Sequence, residues 1–316
     1  MKDNHLKFIF VGILLIAALF GRADKVNTKI AGVGKKIEIP QPVLLAQLKP
    51  IISQTFLPEI RPAGPIKDNS IPGPKLNAKA VLARDLDAGA DLYSSNADLL
   101  WPLASLTKLM AAVIAVEDVG LNKETDISES VIATEGIAGN IEAGEKYQIG
   151  ELVKIMLLVS SNRAASAVAE FYGKENFVKQ MQSKAYFLEM NQTFFSDPTG
   201  LSSFNKGTAG DLIKLVNYIL EKHPGLFKIT AQGKLKIFEE SRGSEKELLN
   251  INEYAAFPHP DFLGGKTGFT DEAGGNLISI FEYHGHKILL IVLGTDDRFG
   301  QTDVLFNWIK KAYNYN

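Results

Sequence analysis

The chain has 316 residues, a formal net charge of −2 and no cysteine. The lack of cysteine excludes disulfide bridges, thiolate zinc sites and a cysteine nucleophile, and a charge near zero argues against a nucleic-acid partner. A hydrophobic fraction of 46% and a charged fraction of 22% are typical of a globular protein.

The N-terminus combines positive charge with an apolar run. Lys2 and Lys7 precede or adjoin an uncharged segment of fourteen residues, 8–21. That length is typical of a signal-peptide core and is shorter than the ~20 residues of a full bilayer span. We predict that residues 1–25 are either a signal peptide or an N-terminal membrane anchor. The body of the protein is therefore expected in the cell envelope, outside the cytoplasmic membrane, anchored by this segment or secreted.

Residues 26–76 are rich in proline. Eight of the 13 prolines lie between Pro40 and Pro74, and proline at this density disfavours both helix and sheet. We predict an extended spacer, with the alternative that its apolar residues pack on the body. A folded domain is predicted for residues 77–316.

The first half of this domain begins with strands and continues with helices. Two strand-like runs around Asp87–Gly89 predict a hairpin, and helix-forming residues follow Ser105 up to a glycine stop at Gly120. Two further helical patterns, "IGELVKIMLLV" and "RAASAVAEFYG", are separated by a polar break. Another helix has Thr208 as its candidate cap and ends before Pro224.

Beyond residue 245 the pattern changes to strands, with "FLGGKTGF", "GNLISIFEY" and "KILLIVLGT" in succession and a tight turn at 284–286. The run "KILLIVL" is apolar throughout, which predicts a strand covered on both faces. A last helix contains Trp308. The order predicts an α+β fold in which an antiparallel sheet, built from both chain ends, is flanked by helices and interrupted by an inserted all-helical lobe.

Ser105 and Lys108 are a candidate nucleophile and base. A serine hydroxyl needs a neighbouring base, and residues three apart share one face of a helix. Lysine acts as a base only if burial or a nearby cation lowers its pKa from ~10.4, so a second lysine is expected close by. Ser105 is predicted in the first helical turn, where free backbone N–H groups favour an anionic oxygen. The same spacing at Ser203 and Lys206 lies in a glycine-flanked loop, and we assign it no chemistry.

Two more polar motifs follow. Ser160 and Asn162 lie in the break between the two middle helices, where polar side chains can point into a cleft. The sequence Lys266-Thr267-Gly268 occurs once, and the glycines around it allow a substrate backbone to approach the strand closely.

In this order, Ser-x-x-Lys, Ser-x-Asn and Lys-Thr-Gly are the signature of penicillin-binding proteins and serine β-lactamases. Residues 77–316, with "WPLASLTKLMAA", "EAGEKYQIGELVKIMLLVSSNRAASAVAE", "FSDPTGLS" and "GGKTGFTDEAGGNL", resemble the D-alanyl-D-alanine carboxypeptidase family of low-molecular-weight penicillin-binding proteins. The family usually has Ser-Gly-Asn followed by Asp, and Ser161 and Arg163 depart from that pattern. The resemblance implies the β-lactamase/DD-peptidase fold.

The resemblance also implies a role for each matched catalytic residue. Ser105 would attack the substrate carbonyl and Lys108 would take its proton. Ser160 would relay a proton to the leaving amine, and Asn162 would hydrogen-bond the substrate backbone and Lys108. Lys266 would be the cation that lowers the pKa of Lys108.

The implied substrate-binding residues are Thr267, Gly268, Phe269 and Arg298. Thr267 would bind the terminal carboxylate, and Arg298, ten residues before Trp308, would select a free chain end. The backbone N–H groups of Ser105 and Phe269 would form the oxyanion hole.

The implied activity is that of a serine-type D-Ala-D-Ala carboxypeptidase, which trims the terminal D-alanine of peptidoglycan stem peptides through an acyl-enzyme and needs no metal or cofactor. β-Lactams would be covalent inhibitors. An endopeptidase acting on D-amino-acid crosslinks is the main alternative. A β-lactamase is disfavoured because the Glu-x-x-Leu-Asn pattern is absent, and an inactive cell-wall binding module because all three motifs are intact.

Overall fold

The computed structural model describes residues 64–315. The predicted signal peptide or anchor at 1–25 and most of the predicted spacer lie outside this range. Among the residues within it, no helix is both long enough and apolar enough to span a bilayer.

Strands and helices alternate along the described chain. The strands are β1 Ile66–Lys67, β2 Ala80–Asp85, β3 Ala90–Ser95, β4 Trp101–Pro102, β5 Glu124–Asp126, β6 Lys146–Gln148, β7 Lys206–Gly207, β8 Lys234–Glu239, β9 Ser244–Leu249, β10 Phe262–Thr270, β11 Gly274–Tyr283, β12 His286–Thr295 and β13 Tyr313–Asn314. The α-helices are α1 Thr107–Ile114, α2 Glu129–Ile132, α3 Ile149–Leu158, α4 Asn162–Tyr172, α5 Lys174–Phe187, α6 Ala209–Lys222, α7 Gly225–Thr230, α8 Glu253–Ala256 and α9 Arg298–Ala312.

The central sheet has five antiparallel strands in the order β10-β11-β12-β2-β3. The hairpin β2–β3 comes from the beginning of the domain and the other three strands come from its end, as the sequence predicts. Strand β10, which carries Lys266-Thr267-Gly268, is an edge strand of this sheet. Among the described residues, one side of the motif strand therefore has no strand partner, and a substrate backbone can be accommodated there.

Both faces of the sheet are buried, because successive side chains of a strand point to opposite faces. In β12, Leu289 and Ile291 join the core shared with the helical lobe, whereas Leu290 and Val292 join a second core with α9. Trp308 of α9 belongs to that second core. The uninterrupted apolar run of β12 thus has the two-sided burial that its sequence predicts.

The predicted helices are confirmed, together with their ends. Gly120, with φ of +97°, follows a π-helical turn that prolongs α1. The side chain of Thr208 accepts a hydrogen bond from Asp211 N and so caps α6. The chain between β3 and β10 forms the helical lobe, in which α1, α3 and α4 contribute to one continuous core. The lobe is mainly helical and not all-helical, because it also contains the short strand pairs β4–β7, β5–β6 and β8–β9.

Residues 64–76, which the sequence analysis assigned to the spacer, contact the folded body. Strand β1 pairs with β13, and the indole of Trp308 donates a hydrogen bond to Pro72 O at 2.7 Å. Ile71 and Leu76 pack against the core of α9. The rest of the predicted spacer lies outside the described residues.

Candidate active site

Ser105 lies in a short 3₁₀ turn, Ala104–Leu106, that leads directly into α1. This position confirms the prediction of a first-turn serine. Ala104 has a φ of +48°, which is uncommon for a residue other than glycine. A Cβ added at Gly200 would lie 1.9 Å from Ala104 O, so only glycine at position 200 lets its backbone pack this closely against the turn.

Lys108 connects three parts of the chain through its amine. Its Nζ lies 2.8 Å from Ser105 Oγ, 2.7 Å from Asn162 Oδ1 and 2.5 Å from Thr199 O. An uncharged amine has two N–H donors and one lone pair, and Asn162 Oδ1 and Thr199 O can only accept hydrogen bonds. The lone pair is then left facing the hydroxyl of Ser105, which is the arrangement that a general base requires.

Burial is the main reason why Lys108 can be uncharged. The side chain has no exposed surface, and burial lowers its pKa from the ordinary value to about 7, while the nearby Asp197 carboxylate raises it. Burial, one of the two causes that the sequence analysis named, is therefore the larger one, and the contribution expected from Lys266 stays a prediction. A low-dielectric environment penalises the protonated amine without the help of a second cation.

Lys266 is the second fully enclosed amine, and it contacts the polar break between α3 and α4. Its Nζ lies 2.8 Å from Ser160 Oγ and donates to Thr267 O at 2.9 Å. Burial, and then the positive charges of Lys108 and Arg298, hold the pKa of Lys266 well below its usual range. Ser160 has a φ of +60°, a strained conformation for a serine that aims its hydroxyl at this amine.

The residues that depart from the family pattern point away from Lys108 and Lys266. Ser161 is fully buried and its hydroxyl accepts from Ala164 N at 3.2 Å, which caps α4. Arg163 donates to Ile141 O at 3.2 Å and so holds the preceding loop. Asn162 itself donates to Glu135 O at 2.9 Å while its Oδ1 accepts from Lys108.

The edge strand β10 passes next to the nucleophile turn. A Cβ at Gly268 would lie 3.0 Å from Leu103 O and 3.2 Å from Ser105 N, so glycine lets the strand approach the turn closely. Arg298, the first residue of α9, donates to Gly268 O at 3.1 Å. The guanidinium is thus placed at the same end of the strand as Phe269, whose side chain is 63% exposed.

The site therefore contains a serine hydroxyl beside an amine of lowered pKa, a second amine beside another serine, and an arginine at the end of an open strand. Residues 67–297 match the model of the D-alanyl-D-alanine carboxypeptidase family. The chain belongs to this family. Its members hydrolyse D-alanyl peptide bonds with a serine nucleophile, and the matched range contains every predicted site residue except Arg298.

Proteins similar to this chain carry different names. A D-alanyl-D-alanine endopeptidase of Pseudomonas aeruginosa is 30% identical over 249 residues, 72% of this chain and 73% of the relative. The solved D-alanyl-D-alanine carboxypeptidase of Mycobacterium tuberculosis H37Rv is 25% identical, with a TM-score of 0.71 over 79% of this chain and 98% of that one. Penicillin-binding protein D2 of Listeria monocytogenes, solved with ampicillin bound, is 28% identical, with a TM-score of 0.65 over 75% of this chain and 98% of that one. These structures confirm the predicted DD-peptidase fold.

Sequence reasoning missed two groups that support the nucleophile turn and its base. Thr199 contacts Lys108 through its backbone carbonyl. Every residue has such a carbonyl, so the residue type gives no signal of this contact. Asn276, buried on β11, donates to Pro102 O at 2.9 Å and accepts from Gly294 N at 2.9 Å, so it fastens the segment before the nucleophile to the sheet. The turn signal in "SDPTGLS" was available, since Asp, Pro and Gly favour tight turns.

Proposed function

We propose that the protein is a serine-type D-Ala-D-Ala carboxypeptidase of the cell envelope, which removes the terminal D-alanine from peptidoglycan stem peptides. The observation that carries the proposal is the 2.8 Å separation between Lys108 Nζ and Ser105 Oγ, combined with a lysine pKa of about 7. A base with such a pKa is partly uncharged at neutral pH and can take the serine proton.

The first half-reaction forms an ester. Ser105 Oγ attacks the carbonyl carbon of the penultimate D-alanine while its proton passes to Lys108 Nζ. The backbone N–H groups of Ser105 and Phe269 stabilise the oxyanion. When the C–N bond breaks, the hydroxyl of Ser160 gives its proton to the leaving amine and takes up the proton that Lys108 had accepted, so Lys108 is uncharged again. Lys266, 2.8 Å from Ser160 Oγ, orients that hydroxyl.

In the second half-reaction, water attacks the ester carbonyl and Lys108 again serves as base. The C–O bond to Ser105 breaks, the hydroxyl is restored and the shortened stem peptide leaves. D-Alanine has by then been released. Before cleavage, the free carboxylate of the terminal D-alanine is bound by Thr267 and the half-buried Arg298.

An endopeptidase acting on peptide crosslinks is the second candidate. A cavity of about 450 Å³ lies next to Arg298 and is lined by Phe269, Gly275 and Phe299 together with three acidic residues, Glu253, Asp296 and Asp297. The space beyond the guanidinium could hold the rest of a crosslinked leaving group. The 30% identical relative from Pseudomonas aeruginosa is named an endopeptidase, which also favours this activity.

β-Lactams are proposed as covalent inhibitors that acylate Ser105. The support is the likeness to Penicillin-binding protein D2 of Listeria monocytogenes, whose structure contains ampicillin. An inactive binding module would not be acylated.

The test uses the whole protein with three substrates: a fluorescent penicillin, a purified stem pentapeptide and a crosslinked peptide dimer. We expect labelling of the wild type and none of Ser105→Ala. Mass spectrometry should show the loss of one alanine from the pentapeptide. Cleavage of the dimer with an intact pentapeptide would instead support the endopeptidase, and an unlabelled wild type that cleaves neither peptide would refute both.

A further inference from the structure

A single carboxylate, that of Asp197, holds together the turn formed by residues 197–202. Asp197 accepts hydrogen bonds from the backbone N–H groups of Thr199 at 2.6 Å, Gly200 at 2.8 Å and Ser202 at 3.0 Å. Two side chains, the Thr199 hydroxyl and the Asn205 amide, donate to it at 2.6 Å each. With five donors, both carboxylate oxygens have several partners, and the conformation of the turn depends on all of them.

This turn touches the reactive residues at two points. Thr199 O accepts from Lys108 Nζ at 2.5 Å. Gly200 lies directly against Ala104 O, next to the nucleophile. One loop outside the three sequence motifs therefore contacts both the base, Lys108, and the turn that carries Ser105.

We propose that Asp197 is a positioning residue for acylation, which holds the Thr199 carbonyl where it orients the amine of Lys108 toward Ser105. The inference rests on the proposed function of the site. Rotation about the last C–N bond of an uncharged lysine has three staggered minima, and only one of them directs the lone pair at the serine hydroxyl. Thr199 O and Asn162 Oδ1 together select that minimum, because each requires one N–H.

The charge of Asp197 adds a second effect that can be measured separately. The carboxylate raises the pKa of Lys108 against the effect of burial. The other basic groups are Lys266 on β10, whose pKa burial holds well below its usual range, and Arg298, whose charge acts on Lys266. Glu135 presents its backbone carbonyl to Asn162. Asp197 is therefore the anion that acts on the proton of Lys108.

The experiment measures the rate constant of acylation by a fluorescent penicillin between pH 5 and pH 9. In Asp197→Asn the new NH₂ group faces the donors of Ser202 and Asn205, so the turn loosens while the fold is otherwise kept. We expect the maximal rate to fall ~10- to 100-fold, as for a misplaced catalytic group. We also expect the acid limb of the profile to move to lower pH, because the anion that raises the pKa of Lys108 is gone.

Asp211→Asn is the matched control. Asp211, on α6, also accepts from a backbone N–H, that of Gln192, and from the Thr193 hydroxyl, but neither of these residues is hydrogen-bonded to Lys108. This variant should lose thermal stability and keep both the rate and the acid limb of the wild type. A merely structural role for Asp197 would make the two variants alike.

Thr199→Val separates geometry from charge and covers the case in which Asp197→Asn does not fold. It removes the hydroxyl bond to Asp197 and keeps the carboxylate. We expect a slower acylation, by at least tenfold, with an unmoved acid limb. A wild-type rate in Thr199→Val, or an unmoved acid limb in a folded Asp197→Asn, would overturn the proposal. Failure of the wild type to be acylated would instead refute the proposed function.

Discussion

Two buried lysines are costly for a fold, since a lysine is rarely enclosed without an anionic partner. Lys108 and Lys266 are at most 2% exposed, and their amines contact serine hydroxyls, an amide oxygen and backbone carbonyls. Neither amine forms a salt bridge among the described residues. The arrangement favours the uncharged form of both amines. It lowers the stability of the fold and in return provides groups that can transfer protons.

The role of Lys108 as base leads to a prediction on rate and pH. Lys108→Ala should abolish acylation by penicillin, with a loss of at least ~10³-fold because general base catalysis disappears and the hydroxyl loses its partner. In the wild type, the acylation rate should rise with pH through a midpoint near 7, since the pKa of Lys108 is about 7 and only the deprotonated amine accepts a proton.

The control for this variant is Lys154→Ala, which removes a half-exposed lysine paired with Glu151 on α3. Stopped-flow fluorescence should give the wild-type profile for this control, as a surface pair of this kind contributes ~0–1 kcal/mol to stability and nothing to the site. A pH-independent rate in the wild type between pH 5 and 9 would contradict the assignment of the base.

Arg298 is predicted to discriminate between ligands with and without a peptide carboxylate. Its guanidinium lies at the end of β10 through its bond to Gly268 O, where the carboxylate of a chain end would arrive. Arg298→Ala should lower kcat/KM for the pentapeptide by ~10- to 100-fold, the cost of a lost charge-assisted hydrogen bond, and lower penicillin acylation less.

Measurement of both ligands on one preparation decides this prediction. Arg242→Ala serves as the control, because that arginine lies in the turn between β8 and β9, where it forms an exposed ion pair with Glu142 and a longer one with the buried Glu145. Equal losses for the pentapeptide and the penicillin in Arg298→Ala would show that the residue supports the strand and does not select the chain end.

At the scale of elements, glycines decide how closely the strand and the turns approach Ser105. Gly200, with φ of +86°, has Ala104 O where a Cβ would be, at 1.9 Å, whereas Gly144, with φ of +79°, has no atom within 4 Å. Both substitutions by alanine force a left-handed residue at a cost of ~1–2 kcal/mol. Only Gly200→Ala should also displace the nucleophile turn.

The expected outcome is therefore a difference between two variants of similar backbone strain. Gly144→Ala should lower the melting temperature by a few degrees and keep the acylation rate of the folded protein. Gly200→Ala should lose ~100-fold or more in acylation, as expected when the reacting groups are misplaced by about 1 Å. If both variants acylate at the wild-type rate, the close packing under Ser105 has no part in catalysis.

Elements whose signals are local could be predicted from the sequence. The Thr208 cap, the Gly120 stop and the turn at His284 each depend on a few neighbouring residues, and the structure has all three. The φ of +60° at Ser160 could not be predicted, because a positive φ is uncommon for a residue other than glycine and no local signal marks it at a serine. The contact of Thr199 O with Lys108 is likewise a product of tertiary packing, as every residue has a carbonyl.

At the scale of the whole molecule, the sheet explains why the motifs are so far apart in sequence. Strands β2 and β3 precede the nucleophile and β10–β12 follow the helical lobe, so Lys266 meets Ser160 across 106 positions. The order strand pair, helices, strands, helix was enough to predict an antiparallel sheet built from both chain ends, but not that β2 pairs with β12. The sequence did not reveal how far the folded body extends toward the N-terminus.

That boundary can be tested by truncation. A protein that starts at Gly64 keeps strand β1, the bond from Trp308 to Pro72 O and the packing of Ile71 on α9. A protein that starts at Asn77 loses all three. We expect the shorter protein to be less stable by ~2–4 kcal/mol, from the lost hydrogen bond and the exposed apolar surface on α9.

Denaturant unfolding of the two proteins measures this difference, and penicillin acylation reports on the site. No predicted site residue lies before Asn77, so the folded fraction of both proteins should be acylated at the same rate. Residues 64–76 would then be part of the domain because they stabilise its fold, although they take no part in acylation. Equal midpoints of unfolding would show that these contacts contribute nothing, and the spacer would extend to residue 76 as the proline content predicts.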